Sequence, residues 1–220
     1  YGHNEGTGKI YNEMHNNLSK IIIENNNIKN ILEVGCSVAI LSDLILKNTE
    51  EIFYTIIEPN LNIRNDKRRK IYSEYIENID NKIIDSNDTL ILSHVLEHFY
   101  EPIKILDKLF IKTNIKYFYL AWPDLDHYIN NNIVNILTVE HIFYISTNYL
   151  EKIIESYGFK LILKNNFKNH TIFYFFERKE VVTNKKLDYK DSNNENLLNN
   201  YTENINMNLS KINQIIDRNN

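Results

Sequence analysis

Short continuous runs of apolar residues recur along this chain, and segments with helical spacing separate them. The first five runs lie at 31–34, 52–57, 71–73, 89–93 and 116–121. Such runs, bounded by turn signals, are typical of strands that are buried on both faces of a sheet. Their alternation with helices predicts an α/β fold with a doubly wound, mostly parallel sheet.

Two further β-rich runs, at 159–163 and 171–176, are joined by a short polar link. A link of this length connects neighbouring antiparallel strands, whereas parallel strands need a longer crossover. We therefore expect a seven-stranded sheet whose last strand is antiparallel.

Helically spaced apolar residues also occur at both ends of the chain. The N-terminal stripe consists of Ile10, Met14, Leu18, Ile21 and Ile22. The C-terminal stripe consists of Leu198, Tyr201, Ile205, Leu209, Ile212 and Ile216. We interpret 1–30 as a helical cover, 31–180 as the globular domain and 181–220 as a polar tail with an amphipathic helix. That helix could pack on its own domain, on a partner chain or lead into further sequence, and a homodimer through it is one expectation.

Composition narrows the class of protein and its partners. The 220 residues suffice for one well-buried domain with an appendage, and a net charge of -4 gives no reason to expect nucleic acid. Cys36 is the single cysteine, which excludes an internal disulfide and fits a reducing compartment. No apolar run approaches the roughly 20 residues of a membrane span, and no signal-peptide pattern is visible. We expect a cytoplasmic protein without a membrane partner, and we interpret the charge run at 66–70 as a solvated helix end.

The strand at 31–34 turns into a helix through Gly35, which is followed by small residues. Turns of this kind at the carboxyl end of a first parallel strand bind nucleotide-like ligands. Glu58 ends the second strand 23 positions after Gly35, and a carboxylate there can accept from both hydroxyls of a ribose. The alternatives are an ordinary tight turn and a solvated carboxylate at a strand end.

Four segments together resemble the class I S-adenosylmethionine-dependent methyltransferases over about 31–178. They are 31–37, 57–60, 92–98 and 140–144, the last preceding a helix that ends near Gly158. The segment His-Val-Leu-Glu-His at 94–98, after a strand and before a proline-started helix, recurs in the branch that acts on small metabolites and sugars. The family turn carries glycines where this chain has Ser37 and Ala39.

The resemblance implies a Rossmann-like methyltransferase fold for 31–180, with S-adenosylmethionine as the cofactor. Glu33, Gly35, Cys36 and Ser37 would flank its methionine part, and Glu58 with Pro59 would hold its ribose. Glu74 or Tyr75 would neighbour the adenine, and Ser93 and His94 would lie beside the sulfonium.

The implied reaction is O-methylation of a small molecule, such as a sugar or a phosphate- or carboxylate-bearing precursor of a surface (capsular) polysaccharide. C- or N-methylation of a nucleotide sugar is an alternative. A hydroxyl acceptor benefits from a base, and the candidates are His94, His98 and His141. The expected acceptor contacts are Tyr11, Met14, His15, Trp122, His141 and Tyr144.

Other functions remain open on the sequence alone. No metal is our main expectation, but some members of the superfamily bind a divalent metal through an acid-rich form of this segment. Here the ligands would be His94, Glu97, His98 and His141. The letters H-x-x-E-H also spell an inverted zinc-peptidase signature, which needs a long helix. The remaining alternatives are an NAD-dependent dehydrogenase and a non-catalytic relative that keeps only the fold.

Overall fold

A computed structural model describes residues 8–61, 65–133, 138–182 and 192–218. The strands are β1 (Asn30–Val34), β2 (Phe53–Ile57), β3 (Arg69–Tyr72), β4 (Thr89–Ser93), β5 (Tyr117–Pro123), β6 (Phe159–Phe167) and β7 (Thr171–Arg178). The helices are α1 (Lys9–Ile23), α2 (Ile40–Asn48), α3 (Asn81–Asp85), α4 (Pro102–Phe110), α5 (Leu125–Asn130), α6 (Thr147–Glu155) and α7 (Ser192–Arg218).

All seven strands form one sheet in the order β3-β2-β1-β4-β5-β7-β6. Strands β1 to β5 are parallel, and β7 runs antiparallel between β5 and β6. The predicted sheet, including its antiparallel last strand, is confirmed. Strand order reverses between β1 and β4, and in open α/β sheets ligands bind in the crevice at such a switch point.

Helices cover both faces of the sheet. On one face, α1 buries Met14, Leu18 and Ile22 against α2 and the strands, so the predicted N-terminal helix is confirmed. On the other face, α3, α4 and α6 pack around a core that includes the central strands. Proline begins α4, as expected, because its missing N–H is not needed in the first turn of a helix.

The charge run at 66–70 is not a solvated helix end, and that interpretation is wrong. Arg69 begins the edge strand β3 and forms an ion pair with Asp43 of α2. The Arg68 guanidinium donates hydrogen bonds to the carbonyls of Leu46 and Thr49, where α2 ends. Two arginines of the run therefore attach β3 to α2: Arg69 pairs with an acid in the first turn of the helix, and Arg68 binds carbonyls at its end, where cationic groups are stabilising.

The C-terminal helix α7 divides into two parts. Leu198, Tyr201 and Ile205 pack with α5, and the Tyr201 hydroxyl donates to the Ile133 carbonyl. Farther along, the side chains of Leu209, Ile212 and Ile216 are about half exposed. The homodimer through this helix stays a prediction, as do the domain boundaries. Within the described ranges, no helix has the length and apolarity that crossing a membrane requires.

Candidate functional site

A cleft of about 520 Å³ lies at the carboxyl ends of β1 and β4, where the strand order reverses. The turn after β1, the segment after β4 and the N-terminal part of α1 meet there. The predicted site residues that line it are Tyr11, Met14, His15, Glu33, Gly35, Cys36, Ser37, Ser93, His94, His98 and His141. The structure thus brings most of the predicted site residues to one cavity.

The other predicted residues lie outside this cleft. Trp122 is almost fully buried, and with Tyr144 it lines a small cavity behind His141. The described lining of the cleft does not include Glu58, Pro59, Glu74 or Tyr75. Glu58 is nevertheless hydrogen-bonded to a lining residue, Ser37.

The turn after β1 is built by backbone conformation. Gly35, Ser37 and Ala39 have φ values of 75°, 55° and 60°, in the left-handed region that L-residues other than glycine rarely adopt. A Cβ on Gly35 would lie 2.3 Å from Cγ2 of Val95, so this glycine is required by its contact with the segment after β4. The turn therefore has a backbone of the kind that glycines favour, although serine and alanine occupy two of its positions.

Two carboxylates flank this turn in different environments. Glu33 is fully buried and accepts a hydrogen bond of 2.9 Å from the Tyr54 hydroxyl. Burial raises the pKa of Glu33 to about 7, although the bond from Tyr54 acts in the opposite direction. Burial likewise raises the pKa of the Cys36 thiol, so that side chain is not a reactive thiolate.

Glu58 connects the end of β2 to the turn. Its Oε2 accepts from the backbone N–H of Ser37 at 3.3 Å, and its Oε1 accepts from that of Asn60 at 3.0 Å. Each carboxylate oxygen has a further acceptor position. The side chain is therefore held in place with capacity left for a ligand hydroxyl.

The segment after β4 brings Glu97, His98 and His141 together. One potential ligand atom from each lies within 4.8 Å of the others. His98 Nδ1 lies 2.8 Å from the Glu140 carbonyl, which only accepts, so Nδ1 carries a hydrogen, and in the neutral ring the lone pair is then on Nε2. The backbone carbonyl of Glu97 accepts hydrogen bonds from the N–H groups of Ile142 and Phe143, and these bonds fix the loop segment that carries His141.

The shifted pKa values of Glu97 and His141 favour the forms that bind a cation. Burial raises the pKa of Glu97. Four interactions outweigh burial and hold this pKa below its ordinary value: the hydrogen bond from His94, the charge of His94, a hydrogen bond from the backbone of Glu97 and the charge of His98. Burial lowers the pKa of His141 and favours its neutral ring. Glu97 is 1% exposed, and its Oε2 has no hydrogen-bond partner among the described residues. One carboxylate and two imidazoles form a donor set for a divalent metal.

His94 does not belong to this cluster, in contrast to the four-ligand alternative. Its Nδ1 lies 3.2 Å from Glu97 Oε1, and its Nε2 lies 2.8 Å from Thr171 Oγ1. Both ring nitrogens are therefore engaged by the protein.

Sequence reasoning missed His170 and Thr171, which meet the site from the turn before β7. The ring of Tyr11 lies 6.3 to 6.5 Å from those of His15, His94 and His170. Burial lowers the pKa of both His15 and His170. Because β7 runs antiparallel beside β5, the turn before β7 lies at the carboxyl end of the parallel strands. The predicted antiparallel pair could therefore have indicated that residues of this turn reach the site.

The chain matches no protein-family profile and no curated protein sequence at a significant level, so the comparison rests on structure. The methyltransferase domain of bacterial CtHen1-C superposes with a TM-score of 0.62 and 18% identity, covering 77% of this chain and 99% of that domain. The small RNA methyltransferase HEN1 gives 0.60 and 14%, covering 82% of this chain and 26% of its own. The N-methyltransferase NodS from Bradyrhizobium japonicum WM9, in complex with S-adenosyl-L-homocysteine, gives 0.57 and 10%, with 80% and 90% covered.

This chain has the methyltransferase fold. The sheet order with an antiparallel β7 distinguishes this fold from the dinucleotide-binding one, which argues against the dehydrogenase. The peptidase alternative also loses support. Its motif requires a long helix, but here Leu96–His98 form a single 3₁₀ turn.

Proposed function

We propose that this protein transfers a methyl group from S-adenosylmethionine to a hydroxyl oxygen of a sugar-like acceptor, assisted by a divalent metal. The observation that carries the proposal is that Glu97, His98 and His141 open onto the same cleft as the turn after β1. A cofactor on that turn and an acceptor beside the cluster would be neighbours.

The cofactor end of the cleft fits its ligand by the groups it offers. The turn from Gly35 to Ser37 presents main chain, and Glu58 has acceptor capacity for a ribose diol. Ser93 Oγ is buried without a hydrogen-bond partner among the described residues, and Ser93 lines the cleft. Glu33 would face the charged methionine part. The cofactor brings an already activated methyl, so these side chains bind, orient and exclude water.

The metal end fits a cation through its donors. Glu97 offers a buried oxygen without a partner among the described residues, His98 a lone pair on Nε2, and His141 a neutral ring. A divalent cation held by these three would supply a Lewis acid that lowers the pKa of an acceptor hydroxyl. In a metal-free protein the same His98 or His141 lone pair would instead accept the hydroxyl proton, so the two mechanisms exclude each other at these atoms.

The lining of the cleft favours an uncharged acceptor. Of the described residues that line it, none is lysine or arginine, whereas Glu33, Glu97 and Glu140 are acidic. A phosphate- or carboxylate-bearing acceptor would find no cationic side chain there, while a neutral sugar hydroxyl needs none. A role in capsular polysaccharide and the N- or C-methylation of a nucleotide sugar stay predictions, and the cleft lining favours neither.

A sugar hydroxyl of an RNA is the second candidate. It is favoured by the likeness of the fold to CtHen1-C and to HEN1, the latter described as a small RNA methyltransferase. Against it stand the net charge of -4 and the absence of lysine and arginine from the described cleft lining, since phosphate contacts dominate affinity for RNA. We therefore rank a small sugar first.

The test offers the protein S-adenosylmethionine labelled in its methyl group, together with pools of free sugars, nucleotide sugars or short RNA. We expect label on a sugar hydroxyl, loss of transfer with a chelator and recovery with Mn²⁺. Transfer that survives chelation would overturn the metal, label on nitrogen or carbon would overturn O-methylation, and label on RNA alone would overturn the small acceptor.

A further inference from the structure

His94 occupies a conformation that needs an explanation. Its φ of 50° places a bulky residue in the left-handed region, directly after β4. Such strain costs free energy and persists only where surrounding contacts determine it. The backbone N–H of His94 also donates to the Ala121 carbonyl at 3.0 Å, so the main chain at residue 94 is held against β5.

The side chain of His94 bridges two buried groups. Because the Glu97 carboxylate only accepts, the facing Nδ1 carries a hydrogen and donates to Oε1. In the neutral ring, Nε2 then accepts from the hydroxyl of Thr171, a residue with no exposed surface. His170 Nδ1 lies 2.7 Å from the same hydroxyl oxygen, and it is the donor there because the single hydroxyl hydrogen is directed to His94. The result is a continuous series of hydrogen bonds from His170 through Thr171 and His94 to Glu97.

This series decides which oxygen of Glu97 stays available. Oε1 is occupied by His94, while Oε2 has no partner in the described part of the chain. We propose that His94 is a positioning residue, itself oriented by Thr171, that fixes the Glu97 carboxylate for a cation and is not a metal ligand. The inference rests on the metal in the proposed function. It differs from the four-ligand alternative because both nitrogens of His94 already have protein partners.

The test measures Mn²⁺ binding to the whole protein without cofactor or acceptor, by titration calorimetry and by counting coupled imidazoles in the pulsed EPR spectrum. His94→Gly removes both bonds, and the relief of the positive φ offsets part of the stability lost with them. We expect its Mn²⁺ affinity to fall about tenfold or more, the usual cost of losing an outer partner of a ligand.

His94→Asn is the matched variant, since asparagine tolerates this φ and its Nδ2 can replace the Nδ1–H that faces Glu97. We expect Mn²⁺ affinity within about threefold of wild type. The pulsed EPR spectra of wild type and of His94→Asn should each show two coupled imidazoles, those of His98 and His141. His127→Asn, on α5 and outside the cleft lining, controls for the exchange of residue type.

Thr171 supplies the second comparison. Thr171→Val removes the hydroxyl at nearly constant shape and should weaken Mn²⁺ binding about threefold or more, whereas Thr171→Ser should restore it. Mn²⁺ affinity unchanged in His94→Gly would overturn the inference and leave the proposed function standing. Loss of one coupled imidazole in His94→Asn would make His94 a ligand and overturn it as well. A wild-type protein that binds S-adenosylhomocysteine but no Mn²⁺ would overturn the inference and the metal, and would keep the cofactor.

Discussion

The two loops that form the cleft are built in different ways. The loop after β1 depends on backbone: its positions with positive φ are Gly35, Ser37 and Ala39, and the N–H groups of these residues donate to Ile57, Glu58 and Cys36, respectively. The loop after β4 depends on side chains, since Glu97 and His98 each have a defined hydrogen-bond partner, His94 and the Glu140 carbonyl. Except at Gly35, the first loop can therefore change its residue types and keep its shape, whereas the second cannot change them and keep its chemistry.

The two loops touch at one point, where Gly35 packs against Val95. At this contact the backbone of the first loop limits the position of the second, because any Cβ on residue 35 would displace the loop that carries Glu97. The difference between the loops leads to four predictions, ordered from the largest expected effect to the smallest, and to a final binding measurement.

Gly35→Ala should destabilise the protein by about 4 kcal/mol, because the new Cβ both strains a positive φ and overlaps Val95. Urea denaturation measures the free energy of unfolding. Val95→Ala in the same chain removes the nearest atom and should recover about half of the loss. If Gly35→Ala is as stable as wild type, the two loops do not meet as described.

Glu33→Gln should remove a pH dependence of stability. Glu33 has a folded pKa of about 7 against an ordinary 4.5, so the folded state binds the proton more tightly than the unfolded state does. Its contribution is fully present below pH 4.5 and is lost as the pH rises to 7, by up to about 3 kcal/mol. The free energy of unfolding of wild type minus that of Glu33→Gln, followed from pH 4.5 to 8, should decline over this window. A difference that is flat with pH would place Glu33 in a solvated environment.

Glu97→Gln should weaken Mn²⁺ binding at least a hundredfold, about 2.7 kcal/mol, while leaving S-adenosylhomocysteine affinity within about twofold. The amide keeps the shape and loses the charge, so the comparison isolates the second loop. Calorimetry with each ligand measures both affinities. An equal loss of both would show that the two loops do not act separately.

Ser37→Gly should stabilise the protein by about 0.5 kcal/mol, because relief of the positive φ slightly exceeds the entropy that glycine loses on folding. Ser37→Ala keeps the strain and should show no gain. Thermal unfolding of the three proteins decides this, and equal stability of the glycine and alanine variants would contradict it.

The sequence predicted the sheet well because strands buried on both faces are continuous apolar runs, as at 31–34 and 89–93. The strand-to-helix turn and the acid ending β2 were equally visible, since both follow from local order. The role of 66–70 was misinterpreted because the carbonyls that Arg68 binds come from α2, which a local charge pattern does not show.

His170 and Thr171 were missed for a related reason. They reach His94 only because β7 pairs with β5, a contact between residues far apart in the chain. Trp122 was expected on a loop, but β5 continues through Pro123 and carries that ring into the core. The different roles proposed for His94 and Glu97 also depend on the pairing of β5 with β7, because that pairing places Thr171 beside His94. The spacing of the motif alone therefore gave four equivalent candidate ligands.

The central claim is that the turn after β1 and Glu58 hold the cofactor. Calorimetric titration of the folded protein with S-adenosylhomocysteine tests it most directly. We predict saturable one-site binding that Glu58→Ala weakens at least tenfold, about 1.4 kcal/mol, through loss of charge-assisted hydrogen bonds. No binding by correctly folded wild-type protein would contradict the proposed enzyme, and unchanged affinity in Glu58→Ala would remove that carboxylate from the site.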